Sequence, residues 1–333
     1  MKSIVLGGGA WGISIAYLLH IKNIDVSVWE YDKESCEKLQ STRYIKERLG
    51  DFRIPDEISF TNEITENVKE ADIVINAVPT QFIRSYFKYI KDIDFTNKIV
   101  VNVSKGIEVS SGKDIRNIFI ENFDTITDDN FAILAGPSFA KEVTLNPTPT
   151  TVVASSKNIE TANTIRDLFS SPYFRVYSNC DVVGVEIGGS IKNVIAIAAG
   201  MLDGMDLGNN TKAALLTRGL AEMTRFGVAV GAKRETFSGL TGIGDMILTC
   251  NSNLSRNYQV GYRIGKGEKL KDILDDMVMV AEGVETARIA YKLSKDNGVQ
   301  MPITEMVNGI LFEDIDPKAA IKKLMLRERK EED

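Results

Sequence analysis

Through the first half of this 333-residue chain, short apolar runs rich in valine and isoleucine recur, each followed by a stretch with helical spacing. "KSIVLGG" reads as a buried strand and residues 10–22 as a helix; "DVSVWE" reads as a second strand, with a charged helix from Asp32 to about Gln40. "DIVINAV" (72–78) and "KIVVNVS" (98–104) flank the amphipathic "TQFIRSYFKYIKD", and "FAILAG" (131–136) and "TVVAS" (151–155) continue the series. Polar residues hardly alternate within these runs, so both sheet faces are expected to be covered, which predicts a doubly wound, parallel α/β sheet. The polar, irregular stretch 42–56 reads as a loop over one edge.

After about residue 180 the period changes. Helical stripes cover 182–205, 211–230, 284–297 and 301–312, and strand-like runs nearly vanish. Asn210 is the expected N-cap of the second of these helices. The boundary therefore falls near 180, between an α/β domain over 1–180 and an all-α domain over 181–333. The tail "LMLRERKEED" reads as a solvated, fraying helix end.

Composition narrows the function. A length of 333 residues suits two domains, and 44% hydrophobic with 26% charged residues is ordinary for a globular protein. A net charge of −6 argues against general affinity for nucleic acid or anionic membranes, so an anionic ligand must be met by a local cluster of donors. No apolar run approaches the roughly 18 residues of a membrane span, so no stable membrane insertion is expected. "MKSIVLGGG" leads straight into a strand and a glycine turn with no room for a signal peptide. Cys36, Cys180 and Cys250 are few and scattered, which predicts reduced thiols in a cytoplasmic setting, no disulfide framework and no metal site. His20, the single histidine, falls at the end of the first helix and reads as a helix-end or packing residue. The usual acid–base side chain is thus missing from the rest of the chain.

One lysine is out of keeping with its surroundings. Lys192 lies within "GGSIKNVIAIAAG" (188–200), among small and aliphatic residues. Either it snorkels from a helix with one wet side, or it is buried with a partner and a shifted pKa.

Gly7-Gly8-Gly9-Ala10-Trp11-Gly12 fits G-x-G-x-x-G between a strand and a helix at the head of a βαβ pattern, the setting of a dinucleotide-binding turn. Gly7 permits the tight turn, Gly9 lets backbone approach a pyrophosphate, and Gly12 allows close packing of helix on strand. The helix N-terminus adds amide donors. Glu30, at the end of the second strand, is spaced to accept hydrogen bonds from ribose hydroxyls and to repel a 2′-phosphate; otherwise it is simply a charged strand end. NAD(H) is the expected cofactor, with NADP(H) as the alternative.

Three further stretches carry more specific information: "NVSKGIE" (102–108), "AGPSFAKEV" (135–143) and "GLTGIGDMILTCNSNLSRNYQVG" (239–261). The first two follow strands, where sites in open α/β sheets form. Together with "GGGAWG" and "GGSIKNVIAIAAG", these stretches resemble the bacterial-type NAD(P)-dependent glycerol-3-phosphate dehydrogenases, from Gly7 to about "PITEMV" (302–307). The resemblance implies reversible reduction of dihydroxyacetone phosphate to sn-glycerol 3-phosphate, a precursor of glycerophospholipids, by a Rossmann domain and a helical domain with the site between them. It also implies a homodimer. Carried over by motif, Lys192 is the proton donor and acceptor, and Lys105 contacts substrate near the nicotinamide. Gly136 and Ser138 line the substrate site, while Trp11 and Ala140 lie along the cofactor. Asp245, Ser255, Arg256 and Asn257 belong to the substrate pocket, with Arg256 also near the cofactor; Val280 and Glu282, in "MVAEGVET", match cofactor positions. "WEYD" (29–32) departs from relatives that are basic there, which argues against NADP(H).

The chemistry suits these residues. Ketone reduction needs a hydride on carbon and a proton on oxygen, and a desolvated lysine can supply the proton and polarise the carbonyl while charged. Asp245 is expected to orient that ammonium from a strained turn holding Gly242 and Gly244, or else to serve as a helix N-cap. Ser255, Arg256 and Asn257 offer a hydroxyl, a planar fork and amide hydrogens for a phosphate, although "SRN" alone is a common surface triplet. "GPS" alone would be a turn, and Lys141 with Glu142 a surface pair. Two rivals remain at this point: a dehydrogenase of like layout acting on a β-hydroxyacid or ketopantoate, and a non-catalytic NAD(H)-responsive regulator.

Overall fold

The computed structural model describes residues 1–145, 148–277, 280–328 and 331. Eight strands form one sheet: β1 (Lys2–Leu6), β2 (Asp25–Trp29), β3 (Ser59–Thr61), β4 (Ile73–Asn76), β5 (Ile99–Asn102), β6 (Phe131–Ala135), β7 (Thr150–Ser155) and β8 (Phe174–Asn179). Their order is β3-β2-β1-β4-β5-β6-β7-β8. The chain winds outward from β1 through β2 to β3, then returns to lay β4 on the other side of β1, in register from Ser3↔Ile73 to Leu6↔Asn76. That reversal opens a crevice at the carboxyl ends of β1 and β4, where ligands bind in doubly wound sheets.

The sheet departs from the expected all-parallel pattern at one seam, since β6 and β7 are antiparallel (Ile133↔Ser155, Ala135↔Val153). Parallel neighbours need a crossover that spans the sheet. Among the described residues of the 136–149 connection the one helix is the short Ala140–Thr144, and the chain re-enters from the end at which it left. β3 and β8 escaped the sequence reading. β3 is three residues long, and β8 ("FRVYSN") has an exposed Arg175 and Tyr177 that break an apolar run. The 42–56 stretch holds one short helix, Lys46–Leu49. His20 ends the helix Ala10–His20, with Nε2 3.9 Å from a Glu57 carboxylate oxygen.

Beyond β8, Asp181 caps the helix Val182–Gly204 by accepting from Gly184 N–H at 3.1 Å. All of this helix but Val183 and Asp203 is buried. Contrary to the expectation that no run approaches a membrane span, it is long and apolar enough to cross a bilayer, yet other parts of the chain enclose it, as for the central helix of a packed domain. Its closest neighbour is the helix Arg256–Gly265. A Cβ on Gly261 would sit 1.9 Å from Ile197 O, so the two backbones approach as only glycine permits. The next long helix runs Gly208–Ala229, with Leu207 as its N-cap; it starts about a turn earlier than expected, so Asn210 lies inside its first turn. The last helix, Pro317–Met325, ends with Met325 and Leu326 exposed; residues 329–330 and 332–333 of the tail lie outside the described residues. Cys36 and Cys250 are buried and Cys180 exposed, all as free thiols.

One buried carboxyl makes folding depend on pH. Glu222, 2% exposed, accepts hydrogen bonds from Ile303 N–H (2.6 Å) and Thr304 N–H (3.2 Å) in the first turn of the helix Pro302–Phe312. Burial outweighs these bonds and pushes its pKa up to about 7. The folded state thus holds a proton that the unfolded chain releases near pH 4.5, so this group's contribution to stability falls as pH rises from about 4.5 to about 7. The span corresponds to on the order of 3 kcal/mol. Glu222→Gln removes the titration, although its amide cannot accept from both backbone donors. Urea unfolding at pH 5 and pH 8 should show the variant losing stability relative to wild type at pH 5 and recovering part or all of it at pH 8. A pH-independent difference would rule out titration of Glu222 as the cause.

Candidate active site

The crevice begins at Gly7, which leaves β1 with φ +113° and donates its N–H to Trp29 O at 2.9 Å. A side chain there would press on Ala77 O at 3.0 Å, and one on Gly12 would strike Gly7 O at 2.0 Å. Around Gly9, by contrast, a Cβ would meet nothing within 4 Å, leaving the helix N-terminus of Ala10–His20 open to a ligand. Glu30 turns back onto this loop: its Oε2 accepts from Gly8 N–H at 3.1 Å and its Oε1 from Asp32 N–H at 3.4 Å. A carboxylate fixed beside a bare helix N-terminus fits a dinucleotide, with the pyrophosphate on the amides and ribose hydroxyls on Glu30. Trp11 packs on the α/β core, and Ser14 Oγ of the same helix donates to Ala140 O at 3.3 Å. This ties the glycine loop to the "AGPSFAKEV" segment. Within that segment Lys141 and Glu142 are exposed and make no mutual ion pair among the described residues.

A buried cluster of charged groups lies further along the crevice. Lys192 is 4% exposed and does not snorkel. Its Nζ donates to Asp245 Oδ1 and to Thr249 Oγ1, both at 2.6 Å. Asp245, 1% exposed, accepts at its other oxygen from Lys105 Nζ at 2.7 Å. Lys105 also reaches Gly136 O at 3.4 Å, and Ser138 Oγ donates to that same carbonyl at 3.1 Å. One carboxylate therefore holds two ammonium groups, and the trio carries a net charge of +1 in a chain of net −6. Each ammonium has a third proton beyond these contacts.

Electrostatics follow from burial. Desolvation pushes Lys192 down to about 8; Lys105 adds to the fall and Asp245 opposes it. Burial works to raise the Asp245 carboxyl, but Lys105 and Lys192 together hold it below the usual range. Cys250, on the same helix as Asp245, is pushed by burial up to about 12 and is a neutral thiol at physiological pH.

Asp245 comes into place through local winding. Leu240–Gly244 forms one wide π-type turn and Asp245 is the first residue of the helix Asp245–Cys250, for which Gly244 is the N-cap. Two expectations are corrected here. Asp245 is not the cap, and the turn has no left-handed strain, since neither Gly242 nor Gly244 has positive φ. Gly242 is required for space: its Cβ would lie 2.1 Å from Phe237 O. Thr249 was missed by the sequence reading, although it stands four residues after Asp245, hence on the same helical face.

Ser255, Arg256 and Asn257 open the helix Arg256–Gly265, a helix N-terminus that the sequence reading did not foresee. Ser255 is its N-cap, accepting from Tyr258 N–H at 3.2 Å. Arg256 extends outward, with Nη1 donating to Val280 O at 2.7 Å. Asn257 is buried and accepts from Gly283 N–H at 2.9 Å, leaving its amide hydrogens without a partner among the described residues. A Cβ on Gly283 would lie 2.8 Å from Asn193 O, so this cluster packs directly against the residue after Lys192. Glu282 begins the helix Glu282–Asp296 and accepts from Thr80 N–H at 3.1 Å, joining the helical half of the chain to the loop after β4. Burial raises the Glu282 carboxyl, against that hydrogen bond. The structure thus unites Lys105, Lys192, Asp245, Gly136 and Ser138 in one cluster, Ser255, Arg256, Asn257, Val280 and Glu282 in a second, and Gly7, Gly9, Gly12 and Glu30 at the glycine loop.

Comparison with known proteins places the chain in one family. The family described as NAD-dependent glycerol-3-phosphate dehydrogenase matches with its N-terminal part over residues 2–162 and its C-terminal part over residues 181–322. A glycerol-3-phosphate dehydrogenase [NAD(P)+] of Geobacter sulfurreducens is 45% identical over 98% of both chains. The enzyme of the same name from Chlorobium limicola is 45% identical over 100% of this chain and 99% of its own. Among solved structures, glycerol-3-phosphate dehydrogenase from Coxiella burnetii superposes with a TM-score of 0.92 at 31% identity, covering 98% of this chain and 99% of that one.

Proposed function

This chain belongs to the NAD-dependent glycerol-3-phosphate dehydrogenase family, and from that premise we propose that Lys192 is the general acid and base of the reaction. The chain is an NAD(P)-dependent oxidoreductase that interconverts dihydroxyacetone phosphate and sn-glycerol 3-phosphate. The reduced nicotinamide supplies the hydride when bound. Lys192 polarises the ketone while protonated and delivers a proton to its oxygen; in the reverse direction the neutral amine takes the hydroxyl proton. Asp245 and Thr249 aim the ammonium, and Lys105 adds a second positive charge beside the oxygen that becomes an alkoxide. The single observation that carries this reading is the buried Lys192 amine, 2.6 Å from a carboxylate whose second oxygen holds Lys105.

Arg256, Asn257 and Ser255 at a helix N-terminus take the substrate phosphate, with Gly136 and Ser138 along the carbon chain. The glycine loop, Trp11, Ala140, Val280, Glu282 and Glu30 take the cofactor. Glu30 favours NAD(H) over NADP(H), since a 2′-phosphate would face a carboxylate fixed by two amides. The same reading divides the chain into a dinucleotide-binding domain, 1–180, and a substrate domain, 181–333, in a cytoplasmic homodimer. The end of β8 at Asn179 and the cap at Asp181 support the division.

The deciding assay follows loss of reduced-nicotinamide absorbance with dihydroxyacetone phosphate, with its unphosphorylated counterpart, and with NADH and NADPH in turn. Turnover should require the phosphate and favour NADH. In the same assay Arg256→Ala should raise KM for the phosphorylated ketone by about tenfold or more, in keeping with loss of a charge-assisted contact. Equal turnover without the phosphate, or an unchanged KM and kcat in the variant, would remove the phosphate assignment. A tenfold preference for NADPH would remove the role given to Glu30.

A further inference from the structure

Thr80 has no place in the chemistry above, yet it bonds to both the Lys105 loop and Glu282. It is 1% exposed, at the start of the turn Thr80–Phe82 that follows β4. Its backbone N–H donates to Glu282 Oε1 at 3.1 Å. Its Oγ1 donates to Lys105 O at 3.2 Å and lies 3.5 Å from the same Glu282 oxygen. Among the described residues no other donor reaches the Lys105 carbonyl. The next residue, Gly106, has φ +145°, and a Cβ on it would sit 2.7 Å from Thr80 Oγ1. The Lys105 loop is thus shaped around this one hydroxyl.

The two bonds lead to the two halves of the site. Through Lys105 O the hydroxyl fixes the backbone from which the Lys105 side chain extends to Asp245, at 2.7 Å. Through its backbone N–H, bonded to Glu282, Thr80 also fixes the turn whose next residue, Gly283, holds Asn257 at 2.9 Å beside Arg256. We propose that Thr80 is a positioning residue for the reaction, its hydroxyl setting the Lys105 ammonium against Asp245 while its backbone N–H ties the same turn to the phosphate-binding end of the site. The inference rests on the functional reading above.

Thr80→Val keeps the β-branched shape and removes the hydroxyl. With dihydroxyacetone phosphate and NADH, kcat/KM should fall by between about 10- and 100-fold, the cost of a misplaced group near the reacting atoms. NADH binding, followed by fluorescence, and the thermal unfolding midpoint should stay close to wild type. A second readout separates positioning from general loosening. The charged or titrating groups acting on Lys192 are Asp245 and Cys250 from one helix and Lys105 from the loop after β5. If Lys105 swings away from Asp245, Lys192 loses a repelling neighbour and gains sole use of the carboxylate. The basic limb of the kcat–pH profile for reduction then moves to higher pH. Thr80→Ser should restore both the rate and the limb.

A Thr80→Val enzyme within about twofold of wild type, a limb that does not move, or a Thr80→Ser enzyme as impaired as the valine variant would each overturn the proposal. Should Thr80→Val fail to fold, Thr80→Cys, which keeps a weak donor, carries the same two readouts against wild type. Wild-type protein that leaves dihydroxyacetone phosphate unreduced with either cofactor would instead overturn the functional reading, and this inference with it.

Discussion

Lys192→Ala is expected to lower kcat for ketone reduction by on the order of 10²- to 10⁴-fold, the range of a removed general acid. Reduced-cofactor binding should stay close to wild type, because the glycine loop and Glu30 sit at the other end of the crevice. The reasoning is electrostatic. An amine pushed by burial down to about 8 is still mostly protonated at neutral pH, yet gives up its proton far more readily than an ordinary lysine. In the wild-type enzyme the reduction rate should therefore decline as pH rises through about 8, while oxidation should climb over the same interval. The variant should lose that limb. Steady-state kinetics from pH 6 to 10 and a fluorescence titration with NADH together check the claim. A variant within about tenfold of wild type, about 1.4 kcal/mol of barrier, would take the acid role away from Lys192.

Asp245→Asn should be almost as damaging for a different reason. The substitution keeps the shape and leaves two ammonium groups facing a neutral amide inside the protein. With its largest favourable partner gone, Lys192 falls further below 8, so less of it is protonated at pH 7. Activity at neutral pH should drop by on the order of 10²-fold or more, with the basic limb displaced toward acid. Stability should suffer too. Removing one partner of a buried pair costs roughly 3–5 kcal/mol when the remaining charge stays uncompensated. Here the charge can be shed. A lysine whose folded pKa lies below its unfolded value binds fewer protons in the folded state, so stability rises with pH between those two values. The loss in Asp245→Asn should thus be largest near pH 6 and shrink toward pH 10 in urea-unfolding experiments. An unmoved kinetic limb would show that Asp245 does not counter the Lys192 charge.

Much of this protein was legible before any coordinates. β1, β2, β4 and β5 are dominated by buried apolar residues with few polar breaks, and the glycine turn after β1 has few other uses in that setting. The helix around Lys192 announced itself through the conflict between one ammonium and its neighbours. Where the reading failed, the local signal was weak. β3 is too short to show a period, and β8 alternates because Arg175 and Tyr177 face outward at an edge. The antiparallel β6–β7 seam depends on where a 136–149 connection re-enters the sheet, which no run of residues encodes. Asn210 is a sound capping residue by type, but the helix starts earlier, at Gly208.

By itself the sequence determined the chemistry on offer: a dinucleotide turn, a lysine with no histidine to replace it, and a serine–arginine–asparagine triplet able to grip an anion. Only the tertiary structure decided that Lys105 and Lys192, 87 positions apart by their numbers, share the single carboxylate of Asp245. It also decided that the triplet opens a helix, and that Thr80 bonds to both the Lys105 loop and Glu282. The physical reason is range. Periodicity and turn chemistry act over a few residues and can be read along the chain, whereas the strength of a charge depends on burial and on partners brought from distant segments by packing.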